Sequence, residues 1–113
     1  MNKTIAGYHL LMILSAVDYR VSGKEDMVIR NYLAEEFPFN VNLDKQMEVI
    51  SNLKRDDWER HYYKAMDDFY DDATPEERKK LISFALQLAK ADDVITHEEN
   101  HYLNLLFEHW EGL

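Results

Sequence analysis

Two stretches of the chain, Asp18-Tyr19-Arg20-Val21-Ser22-Gly23-Lys24-Glu25 and Asp92-Asp93-Val94-Ile95-Thr96-His97-Glu98-Glu99, decide how the rest is read. They lie 74 residues apart and share the pattern Asp-x-x-[Val/Ile]-[Ser/Thr]-x-x-Glu. The last four positions form a capping box: the hydroxyl accepts from the backbone N–H three residues on, and the Glu reaches back to the hydroxyl residue's own N–H. Each stretch therefore announces the start of a helix, preceded by a turn that begins at an Asp and tucks a β-branched residue inward. The flanks agree under the same offset, Leu14 with Leu88, Ile29 with Leu103, Tyr32 with Leu106 and Leu33 with Phe107. Two helix–turn–helix units, about residues 4–37 and 75–111, are expected to bury their apolar faces against each other in one domain spanning 1–113.

Working outward, the helical signals accumulate. A first helix over about 4–17 is apolar on nearly every face, as a central helix should be. A second carries Met27, Val28, Ile29, Tyr32 and Leu33 and stops near Phe37-Pro38, because the residue before proline resists helix. Short helices are expected over about 43–53 and 57–70, the latter with a stripe of Trp58, His61 or Tyr62, Ala65 and Phe69. Thr74-Pro75-Glu76-Glu77 opens a fifth, with Thr as cap, Pro at the first helical position and Glu at the third. Leu81, Ile82, Ala85, Leu88 and Ala89 face inward from it, and Tyr102, Leu103, Leu106, Phe107 and Trp110 from a sixth. No segment alternates like a strand. The fold class expected is all-α, a bundle of about six helices.

Composition narrows the function classes. In 113 residues there are 13 Lys+Arg against 22 Asp+Glu, a net charge of −9 that disfavours nucleic acid and anionic membranes, whose phosphates call for basic faces. Cations and another protein, preferably basic, are the partners that charge allows. With no cysteine, disulfides, thiolate zinc sites, iron–sulfur clusters and cysteine nucleophiles are excluded. The N-terminal apolar run has no small residue placed for signal cleavage and is far short of the roughly 20 residues of a membrane span. A cytoplasmic location is the expectation.

An Asp just past a helix C-terminus sits where the macrodipole disfavours a carboxylate by roughly 0.3–1 kcal/mol. Either turn N–H groups compensate it, as in an Asx-turn, or a cation shared with neighbouring carboxylates does. The doubled stretch resembles the TerB-like domains associated with tellurite resistance, whose pattern Ala-x-Ala-Asp-Gly-x-Ile-[Ser/Thr]-x-x-Glu is followed closely by residues 89–99 and more loosely by 15–25. The glycine after the Asp is replaced here by Tyr19 and Asp93. The resemblance implies an all-helical, non-catalytic binding module with its acidic turns near one face, in a stress-response context, with a divalent cation proposed at the acidic residues. The candidate metal ligands are Asp18, Glu25, Asp92, Asp93 and Glu99, with Asp18, Asp92 and Asp93 as primary donors and the two Glu organising the turns. Oxygen donors without cysteine favour Ca²⁺ or Mg²⁺ before Zn²⁺.

Three further readings complete the inventory. His97-Glu98-Glu99-Asn100-His101 matches the zinc-peptidase string His-Glu-x-x-His. It falls in the first turns of a capped helix, and a third ligand such as Glu108, seven residues beyond His101 on the same helix, lies roughly 10 Å along it. A small zinc peptidase is thus the remote alternative. His9, His61 and His109 are expected to be packed or exposed singly, and 67–72 to be a solvated acidic connector that also favours the helix after it.

Overall fold

The structure, a computed structural model, describes residues 1–16, 23–37, 42–90 and 96–111. Six α-helices follow in order: α1 (Lys3–Ala16), α2 (Gly23–Glu36), α3 (Leu43–Ser51), α4 (Trp58–Asp72), α5 (Pro75–Lys90) and α6 (His97–Glu111), with one 3₁₀ turn (Arg55–Asp57) leading into α4. No strand occurs among the described residues. The fold is all-α, and none of its helices is long and apolar enough to cross a membrane.

α1 is the axis of the bundle. It packs against every other helix and most extensively against α4. From Ala6 to Leu14 each of its side chains is buried, polar His9 included. That all-round burial explains why its sequence shows no single apolar stripe. The approach is closest at Gly7, where a Cβ would lie 3.3 Å from Leu33 of α2, 3.4 Å from Phe69 of α4 and 3.5 Å from Leu81 of α5. Three helices converge there, leaving room for little more than a Cβ, and the Leu33 side chain would have to give way slightly even to that.

The other helices turn narrower faces to α1. α4 buries Tyr62, Ala65, Met66 and Phe69, the i, i+3, i+4, i+7 set of one helical face. Phe69 stacks on Trp110 of α6 with centroids 5.3 Å apart, and meets Phe37 edge-on. Tyr62 packs against the Tyr102 ring and donates its hydroxyl hydrogen to the Tyr102 carbonyl at 3.1 Å. Tyr32 of α2 stacks on Phe84 of α5 with centroids 4.0 Å apart, tying the two halves together. Met27 and Val28, grouped by sequence with the apolar face of α2, are exposed instead, while Ile29 and Leu33 are buried.

The helix over 43–53 is shorter than expected. It ends at Ser51, and Asn52 turns the chain back by donating to the Glu48, Val49 and Ile50 carbonyls. The acidic run at 67–72 is not a connector but the last turns of α4. Its apolar member Phe69 is fully buried between Phe37 and Trp110, which carries the helix through the surrounding charge. Asp72 does not serve the helix after it either. Its Oδ2 accepts from the Lys3 backbone N–H at 2.9 Å, so α4 caps the first turn of α1, helped by Asn2, which accepts from Ile5 N–H. Thr74 and Glu77 form the expected reciprocal box, and Glu77 also takes a two-oxygen contact from the Lys3 ammonium.

Candidate functional site

The 74-residue offset reappears in the starts of the second helix of each unit. α1 ends at Ala16 and α5 at Lys90; α2 begins at Gly23 and α6 at His97. The first residues of α2 and α6 are 74 apart, and residues 17–22 and 91–95 lie outside the described residues. In the second unit the box is in place: Glu99 N–H donates to Thr96 Oγ1 at 3.1 Å, and Thr96 N–H to Glu99 Oε1 at 3.2 Å. One carboxylate oxygen of Glu99 is thereby committed to the turn. Glu25 holds the equivalent third position of α2 and is half-buried. Acidic side chains occupy the first turns of both helices, Glu25 and Asp26 in α2 and Glu98 and Glu99 in α6, where the helix dipole favours them.

Of the five candidate ligands, Glu25 and Glu99 are thus at matching helix starts. Asp18, Asp92 and Asp93 lie outside the described residues, as does Ser22, the expected cap of α2. Among the described residues, no group of three or more His, Asp or Glu side chains is placed to hold a metal ion. The two Glu therefore make no centre of their own.

The His97-Glu98-x-x-His101 string falls on exposed positions at the start of α6. His101 Nε2 sits 3.6 Å from Glu59 Oε1 of α4, and this pair gathers no third ligand among the described residues. The other histidines correct the expectation of isolated rings. His109 pairs with Asp67. His9, buried in α1, meets His61 of α4 with Nδ1 and Nε2 2.7 Å apart, while its Nε2 lies 2.7 Å from Gln46 Oε1 of α3. Burial pushes both imidazoles below their ordinary range.

A second polar cluster was equally hidden from spacing. The Tyr8 hydroxyl donates to Asp26 Oδ1 at 2.7 Å, and Arg30 links Asp26 at 3.0 Å to Asp44 of α3 at 2.6 Å. The only hint of either cluster in the sequence is that Tyr8 and His9 interrupt an apolar helix and need partners once buried.

A family model described as tellurite resistance protein TerB matches residues 4–109. The chain belongs to the TerB family. The match runs from the first turn of α1 to the last of α6, so the TerB domain is the whole bundle. No curated protein and no solved structure matches the chain.

Proposed function

We propose that this TerB-family chain is a non-catalytic binding module that takes a divalent cation, Ca²⁺ or Mg²⁺ before Zn²⁺, at its two inter-helix turns. Asp18, Asp92 and Asp93 would donate oxygens, and Glu25 and Glu99 would set the turns. The observation that supports this reading is the common offset of the starts of α2 and α6, each with a Glu at its third position. By the sequence repeat, Asp18 and Asp92 each precede the hydroxyl of their capping box by four residues, at a turn where the helix dipole would repel a carboxylate and a cation would relieve it. The setting we propose is cytoplasmic, in a stress response. Calorimetry with Ca²⁺, Mg²⁺ and Zn²⁺ on chelator-treated protein tests it. Heat and a thermal shift that Asp92→Asn abolishes are expected; no heat and no shift with any of the three ends the metal reading.

A second reading is protein recognition without metal, favoured by Met27 and Val28, 58% and 41% exposed just beyond Glu25. Under it, capture of a basic partner would survive chelator and weaken with salt.

A further inference from the structure

The contact between His9, His61 and Gln46 joins three helices, and its geometry limits how many protons it can hold. With Gln46 Oε1 accepting from His9 Nε2–H, His9 Nδ1 is an acceptor, and the hydrogen across the 2.7 Å gap belongs to His61 Nε2. If the amide is turned round, the chain runs the other way, with His9 Nδ1–H donating to His61 Nε2. Either way one hydrogen, and only one, fits between the rings. A first added proton can go to a ring nitrogen outside that gap and leave the hydrogen bond intact. A second would set two N–H groups against each other at a distance that admits neither.

We infer that His9, His61 and Gln46 form a proton-operated latch on α3, closed with no or one added proton and opened by two. His61 is half-buried and can swing toward water, but His9 is 2% exposed. With His61 charged as well, the Nδ1–H of an imidazolium at His9 has no acceptor and must be hydrated, so a cover over it has to lift. α3 is the cover with the least hold: nine residues, Ile50 its one fully buried side chain, packed chiefly on α1. Among the described residues its other polar ties come from Arg30 of α2, to Asp44 and to the Met47 sulfur. The groups facing the pair do not compensate a double charge. The terminal ammonium opposes charging of His9; around His61, Lys64 opposes and Asp68 favours it.

The test is a ¹⁵N–¹H NMR titration of the intact protein from neutral pH down to about 5, where most aspartates and glutamates are still ionised. The Trp58 indole N–H, which donates to the Leu53 carbonyl just beyond α3, reports on the latch; the Trp110 indole, donating to Met66 O, reports on the bundle. The amides of 43–51 and the Trp58 indole should leave their native positions below the ordinary imidazole value of 6.5, with a slope approaching two protons, while Trp110 stays. In His61→Gln an amide can face His9 with either its donor or its acceptor, so α3 should stay docked through the whole range. Loss of the α3 and Trp110 signals together, or no change in α3, overturns the inference in the wild-type protein alone. So does a folded His61→Gln that follows the wild-type curve.

Discussion

At the scale of single residues, the caps are where local sequence and structure agree most closely. Thr96 and Glu99 satisfy each other's backbone N–H groups, so Thr96→Ala should lower stability by about 1 kcal/mol in denaturant unfolding. Asp72→Ala should cost a similar amount, about 0.5–2 kcal/mol, because Lys3 N–H loses its acceptor at the start of the central helix. The two differ in how they could have been foreseen. Thr96 and Glu99 are three residues apart, and their pairing is legible as a motif. Asp72 and Lys3 are 69 apart, and nothing in the acidic run 67–72 says which of its carboxylates faces a distant helix.

At the scale of elements, α1 carries the packing. Gly7→Val would force methyl groups into the meeting point of Leu33, Phe69 and Leu81, and should destabilise by about 1–3 kcal/mol through overpacking, read as a lower thermal midpoint. All six helices were legible in the sequence, because apolar periodicity and capping boxes act within a few residues. Their ends were legible where a cap marks them, as at Pro75 and His97, and less so where tertiary contact decides, as at Asp72. Of the candidate site, the helix starts at Glu25 and Glu99 are where the repeat put them. The pairing of His9 with His61 was not legible, since rings 52 residues apart meet only through the crossing of α1 and α4.

At the scale of the whole molecule, acid should weaken the fold before its carboxylates titrate. The folded state holds His9 and His61 below the ordinary value of 6.5, so the unfolded chain binds more protons in mild acid. Stability should therefore be level above about pH 6.5, decline as pH falls through the ordinary imidazole range, and flatten in this respect once the folded-state values are passed. Urea unfolding at neutral pH and near pH 5.5 should show the decline in wild type and a smaller one in His61→Gln.

The central helix also comes first among the six in chain order. A ribosome adding roughly 5–20 residues per second would expose α1 for several seconds before α4, α5 and α6 exist to surround it. A nascent chain halted after α3 would thus leave the α4, α5 and α6 sides of a greasy rod uncovered, a ready substrate for a chaperone. Completing the chain, more than any early local event, is what should let the central helix be covered.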